Sequence, residues 1–172
     1  MNPRAMDVAP PTRLPVLETA RLRLRPMSEG DRADLLVIYG DPEVVRHTDE
    51  APFPDIATVE RMLTSVAQLL AAGRSLEWGV ADARDGRLVG TCGLHDFDAR
   101  SRSAQVGCML ARARWGQGLM REALGALFDH ARNVLGLVRL RADIDPANTR
   151  SLRLFHALGF AHSSGTEHEL AL

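Results

Sequence analysis

The stretch RARWGQGLMREAL, residues 112–124, sets Gly116 and Gly118 one residue apart and then runs directly into an amphipathic pattern. Glycine has no Cβ, so a pair of them at the mouth of a helix lets a ligand approach the backbone closely. The first turn of a helix has free N–H groups and the positive end of the helix dipole. Main chain alone can hold a phosphate or pyrophosphate there. The same two glycines also suit a plain tight turn, and the loop read by itself does not separate the two. It is not a P-loop, because no Gly-Lys-Ser/Thr follows and the chain has no Lys at all. It is not the dinucleotide fingerprint either, since Arg121 stands where the third glycine belongs.

The elements that must position this loop follow from periodicity. Residues 20–26, ARLRLRP, alternate Leu22 and Leu24 against arginines, which predicts a half-buried strand. A helix over 29–39 follows, with Leu35, Leu36 and Ile38 on its apolar side. GDPEVVRHTDEAPFPD then reads as a loop, or a loop with a short helical turn. Asp55 is the expected N-cap of a helix running to about 72, which Gly73 stops. The period then changes to two, predicting strands at 76–81, 88–94 and 104–110. DARDGR makes the first two an antiparallel hairpin, and HDFDARSR links the second to the third. The glycine loop opens a helix to about 135, whose apolar face is Leu119, Ala123, Leu127, Phe128, Ala131 and Leu135. A strand at 138–144 and a helix at 148–158, closed by Gly159 with Phe160 beyond it, complete the pattern before a last strand or hairpin. The layout is mixed α/β (α+β), and 104–144 predicts a parallel crossover.

Residues 1–15 contain four prolines and read as a flexible tail, leaving 16–172 as one domain. The net charge of −1 does not favour nucleic acid or an anionic membrane. No window reaches the length of a membrane span, and the N-terminus lacks the order of a signal peptide, so the expected location is the cytoplasm. Cys92 and Cys108 lack metal-ligand spacing and read as buried free thiols.

QVGCMLARARWGQGLMREALGALFDHARNVLGLVRLRADIDPANTRSLRLFHALGF, residues 105–160, closely resembles the acetyl-CoA-binding core of the GNAT N-acetyltransferases. Within that family it is similar to the RimJ/RimL-like branch, typified by ribosomal-protein N-terminal acetyltransferases. LETARLRLRPMSEGDRADLL, YGDPEVVRH and GRLVGTCGLHDFD look like the same branch. The resemblance implies the GNAT acyl-CoA N-acyltransferase fold: a mixed central sheet with splayed fourth and fifth strands and helices on both faces. It implies acetyl-CoA as cosubstrate, no metal, and an amine acceptor, either a peptide N-terminus or a small molecule. Trp115, Gly116, Gln117, Gly118, Leu119 and Met120 would hold the pyrophosphate, although Trp115 and Met120 depart from the strict family pattern. Met109, Leu110 and Ala111 would pair with pantetheine, an N–H near Leu110 facing the thioester oxygen. Asn148 would contact the CoA arm, cap the last helix, or do both. Ser151 is a candidate acid for the leaving thiolate, or simply a helix-start serine.

Two departures bear on the chemistry. Where many relatives place a Tyr acid, in the cofactor-binding set, this chain has Phe155; where many carry Glu, it has Gln105. Neither exchanges a proton near neutral pH. The remaining bases are His95, Asp96, Asp98 and Glu77, and His95 has the best-suited ordinary pKa, about 6.5. Arg112, Arg114 and Arg121 could add charge at the phosphates, and Asp49 and Glu50 in the loop 46–53 could attract a cationic amine. FAHSSGTEHELAL either forms a hairpin around Ser164-Gly165 or leaves the sheet edge open to a dimer partner, so monomer and homodimer both stand. The missing Tyr and Glu also keep open a non-catalytic module that binds or senses acyl-CoA.

Overall fold

The computed structural model describes residues 11–172; most of the expected tail at 1–15 lies outside them. Packing begins before residue 16. Leu14 is buried in the core, and the Pro15 carbonyl accepts the Trp78 indole N–H at 2.8 Å.

Among the described residues, eight strands form one sheet in the order β1-β2-β3-β4-β5-β6-β8-β7. They are β1 (Leu17–Glu18), β2 (Leu22–Arg25), β3 (Ser75–Asp82), β4 (Leu88–Asp98), β5 (Ser103–Leu110), β6 (Arg139–Asp143), β7 (Ala161–Ser164) and β8 (Glu167–Ala171). The helices are α1 (Arg32–Tyr39), α2 (Pro42–Val45), α3 (Ile56–Ala71), α4 (Leu119–Asn133) and α5 (Thr149–Ala157). β5 and β6 run parallel, as the crossover predicts, and the other pairs among the described residues are antiparallel. The fourth and fifth strands of the sequence reading are β5 and β6 here, because the two-residue β1 was too short to show a period.

Apolar residues cover both faces. On one, Leu119, Ala123, Leu124, Leu127 and Phe128 of α4 and Phe155 of α5 pack on Leu76, Trp78, Cys92, Leu94 and Val106. On the other, Leu35 and Ile38 of α1 and Val59 of α3 pack on Ala81, Leu88 and Ala111. Helix ends fall where the turn chemistry puts them. The Asp55 carboxylate accepts the Thr58 N–H at 2.8 Å. After α3, the N–H groups of Gly73 and Arg74 reach the Leu70 and Leu69 carbonyls. After α5, Gly159 and Phe160 repeat this with His156 and Phe155. Both glycines have positive φ, +65° and +95°, where a Cβ would strain the backbone.

Two details depart from the pattern, and two alternatives it left open are decided. The first helix opens with a 3-10 turn, Glu29–Asp31. Of the two readings of the following segment, the loop with a short helical turn is found: α2, N-capped by Asp41. HDFDARSR is not all connection: β4 continues through Asp98, with an irregular register between His95 and Asp98. The extension is His95-Asp96-Phe97-Asp98, three polar residues around one Phe, which shows no clear period of two. Of the two alternatives for the C-terminal segment, the hairpin forms, with β8 between β6 and β7. Among the described residues, no helix is long and apolar enough to cross a membrane.

Leu124 is fully buried between α4 and the sheet. Leu124→Ala should cost about 2–5 kcal/mol. The urea midpoint should fall with an unchanged slope in equilibrium denaturation.

Candidate active site

β5 pairs with β6 only from Ser103 to Gln105, against Arg139 to Arg141, and then runs on alone to Leu110. β6 stays paired with β8 on its other side. The two strands therefore splay, and the edge of β5 from Val106 onward faces a cleft of about 410 Å³.

The cleft is built from the glycine loop, the ends of β5 and β6, and α5. Gly116 and Gly118 adopt φ of +73° and +74°. Nothing within 4 Å opposes a Cβ at Gly116, so its surface is open. Gly118 is the N-cap of α4 and has no side chain to cap it. The first-turn N–H groups of α4 are thus left to whatever enters the cleft. Glu122, in that same turn, is drawn away from the cleft. It accepts Thr19 Oγ1 at 2.6 Å, the Arg21 N–H at 2.8 Å and Arg21 Nε at 2.7 Å. Arg21 also donates to the Gln117 carbonyl at 3.0 Å, and so ties β2's approach to the loop. The geometry fits a pyrophosphate: an open, glycine-lined helix mouth with free donors and a positive dipole end.

Met109, Leu110, Trp115, Gly116, Gly118, Leu119, Met120, Asn148, Ser151 and Phe155 all line this cleft. Ala111 and Gln117 do not. The Ala111 N–H is bonded within the sheet to the Val89 carbonyl at 2.8 Å. Strand alternation then turns the main-chain groups of Met109 the same way, and those of Leu110 and Cys108 toward the cleft. Trp115 Nε1 already donates to the Leu110 carbonyl at 2.8 Å, which leaves the Leu110 N–H as the free donor of that residue. Asn148 Oδ1 caps α5 by accepting the Ser151 N–H at 3.1 Å, and its amide nitrogen keeps its donors. Phe155 is buried, edge-on to Phe160 at 5.0 Å. Arg150, which no pattern singled out, lies over the Trp115 ring at 3.2 Å, a cation–π contact across the cleft. Of the three arginines expected near phosphate, Arg121 lines the cleft and Arg112 does not. Arg114 is held by Asp82 at 2.5 Å. The Asp82 carboxyl, bonded first by Arg84 and then by Arg114, is driven well below the usual range.

A second, wider cavity of about 840 Å³ lies on the α1–α3 face of the sheet. Its floor consists of cross-strand rows. Glu77 stands opposite Gly93, and Gly93 opposite Gly107; the next row is Ser75, His95 and Gln105. A Cβ on Gly93 would overlap the Glu77 carboxylate, so the glycine makes room for that group. Burial pushes the Glu77 carboxyl up to about 7, although the Thr91 hydroxyl bonded to it pulls the value back. Tyr39 Oη is 2.7 Å from Thr91 Oγ1, extending the chain to α1. His95 lies farther out on the rim, 38% exposed, with Nδ1 3.1 Å from Asp96 Oδ2. Asp49 and Glu50 line the same cavity, as does an apolar wall of Met27, Phe53, Met62 and Val66.

The two cavities meet at Gly107, Cys108 and Met109 of β5, with His47, Thr48 and Asp143 around them. Burial, then the Glu77 charge, pushes the Cys108 thiol up to about 12. It is a neutral thiol at physiological pH, and so a poor nucleophile. His47 Nδ1 is 2.7 Å from Asp145 Oδ2. Sequence reasoning missed this pair because 98 positions separate its members.

Residues 21–161 match the model of the acetyltransferase (GNAT) domain. The chain is 32% identical over 144 residues to the uncharacterized N-acetyltransferase p20 of Bacillus licheniformis, covering 84% of this chain and 81% of that one. Among solved structures, Mycobacterium smegmatis RimJ in complex with CoA-disulfide superposes with a TM-score of 0.82 at 20% identity, over 94% of this chain and 90% of that one. Spermidine N-acetyltransferase from Vibrio cholerae, in complex with CoA and spermine, gives 0.77 at 17% identity, over 89% and 96%.

A ligand that binds only the folded state raises its stability. CoA should therefore raise the melting temperature of the wild type in a thermal-unfolding titration. Gly118→Asp, which adds a negative charge and a Cβ at positive φ, should lower the unliganded melting temperature and abolish the CoA-dependent rise.

Proposed function

The chain belongs to the GNAT acetyltransferase family, and from that premise we propose that it moves the acetyl group of acetyl-CoA onto a primary amine held in the wider cavity. The observation that carries this reading is the junction at Gly107–Met109, where a cleft suited to CoA opens into a cavity suited to an amine. The thioester would sit beside the free edge of β5. There the Leu110 N–H, with that of Cys108, would polarise its carbonyl.

Attack by the amine is direct in this reading. A covalent acyl-enzyme would need a nucleophile at the junction, and Cys108 is held neutral. The amine must arrive as a cation and react without its extra proton. Asp49, Glu50 and Glu77 give the cavity its attraction for the cation. Glu77 then takes the proton. A carboxyl near 7 is closely matched to an α-amine at about 7.7–8.0, and poorly matched to an alkyl amine at about 10.4. The favoured acceptor is thus an α-amine, as at a peptide N-terminus. His95, one row outward and exposed, is placed to pass the proton to solvent. Ser151, at the cleft wall, offers its hydroxyl to the leaving sulfur.

The test is release of CoA thiol with acetyl-CoA and a panel of amines, with mass spectrometry of the product. Turnover with α-amino peptides should exceed that with alkyl amines. Binding of acetyl-CoA without acetylation of any amine would refute the reading. Glu77→Gln should lower kcat/KM by about 10²-fold or more and remove the acid limb near pH 7. The same substitution tests burial separately. A carboxyl raised from 4.5 to about 7 contributes stability that is fully present below pH 4.5 and lost as pH rises through 7. The melting temperature of Glu77→Gln should therefore gain on the wild type across that interval.

A further inference from the structure

Acetyl transfer to an amine moves two protons, and Glu77 accounts for one. Before attack the ammonium loses a proton. Afterwards, as the C–N bond forms and the C–S bond breaks, the nitrogen still carries a surplus proton and the sulfur leaves with the electron pair. That second proton must travel from the acceptor cavity to the cofactor cleft. Phe155 cannot carry it. A serine hydroxyl can donate a hydrogen bond to a thiolate, but it has no proton to give up at neutral pH.

His47 stands between the two spaces. It lies beyond α2, in the loop leading to α3, and lines both cavities. Its ring is 21% exposed, and Nδ1 meets Asp145 Oδ2 at 2.7 Å. The other oxygen of Asp145 accepts the Ala147 N–H at 2.8 Å. That bond first, and His47 second, hold the Asp145 carboxyl below its ordinary value. An ionised carboxylate only accepts, so the proton of neutral His47 resides on Nδ1. Nε2 is left as a lone pair, with no hydrogen-bond partner among the described residues.

We propose that His47, oriented by Asp145, relays the second proton from the amine nitrogen to the departing sulfur. Nε2 takes the proton from the tetrahedral adduct and returns it to the thiolate, so the imidazole ends as it began and no other reactant is consumed. The direction is downhill because an imidazolium is by its chemistry a stronger acid than a thiol. His47 is a catalytic residue in this proposal, and Asp145 is a positioning residue. The relay rests on the acetyltransferase reading.

The experiment is steady-state kinetics of His47→Gln and Asp145→Asn with acetyl-CoA and the best amine, beside thermal shifts with CoA. An asparagine keeps the shape and can still accept from Ala147, but its NH₂ donates to Nδ1 and forces the proton onto Nε2. The relay expects kcat to fall about 10²-fold or more in both variants, with KM for acetyl-CoA and the CoA thermal shift retained. It also expects the double variant to be no slower than His47→Gln alone. A kcat within threefold of wild type overturns the relay and leaves the acetyltransferase reading standing. So does a raised KM for the amine with kcat unchanged, which would make the pair a tether for the loop. If the wild type releases no CoA thiol with any amine, both the reading and the relay fall.

Discussion

The structure is organised around a strand that stops being paired. After Gln105, β5 has a neighbour on one side only, because β6 has turned away to pair with β8. Unpaired backbone groups in a half-buried position cost free energy unless something bonds them. The chain satisfies one of them itself, through the Trp115 indole on the Leu110 carbonyl. The others form a ready-made edge for an extended ligand with its own amides, which would add to the sheet as a further strand. The splay thus creates a binding site and orients whatever binds.

Two other features depend on that opening. The first is the bare mouth of α4. A helix of this length would ordinarily begin on Ser, Thr, Asp or Asn, and a side chain would consume one of its first-turn donors. Gly118 consumes none, and Glu122 is pulled aside by Thr19 and Arg21 instead of neutralising the dipole. The second is the trough on the opposite face. Gly93 and Gly107 remove two side chains from consecutive strands of one row; Glu77 lies in the space at Gly93, and His95 Nε2 lies 3.8 Å from where a Gly107 Cβ would stand. Glycine serves both ends of the reaction for the same physical reason, the absence of a Cβ, but at the helix mouth it exposes donors and in the sheet it admits a carboxylate.

What could be read from the sequence was what is local. Caps at Asp55, Gly73 and Gly159, the alternation through Leu22 and Leu24, the apolar stripe of α4 and the Gly-x-Gly loop all act within a few residues. The structure has each of these elements where the pattern put it. Elements that lacked a period escaped: β1 has two residues, and the outer end of β4 mixes His95, Asp96 and Asp98 through an irregular register. The cleft side of the site was legible from the loop and its family resemblance. The acceptor side was not, because its chemistry is made by cross-strand rows and by loops that meet across the fold. Glu77 stood among the candidate bases, yet its raised pKa comes from burial under α1 and α3. His95 was the better candidate by side-chain type, and exposure leaves it on the rim.

The loss of the usual Tyr and Glu need not mean a loss of proton chemistry. Phe155 lines the cleft with an apolar ring packed edge-on to Phe160, so that wall offers no proton to exchange. Gln105 lies in the outer row with His95 and Ser75, away from the junction. Two groups able to exchange protons are found instead closer to where bonds must change. A carboxyl is raised by burial on the acceptor face, and an imidazole is held by a carboxylate at the junction. The two are tuned by opposite means. Glu77 gains basicity because its charge is poorly solvated; His47 has its tautomer set because its partner's charge is well bonded. Such a division separates the deprotonation that makes a nucleophile from the protonation that frees a leaving group. In that proposal the first proton leaves on the acceptor face, and the second crosses at the junction that His47 lines.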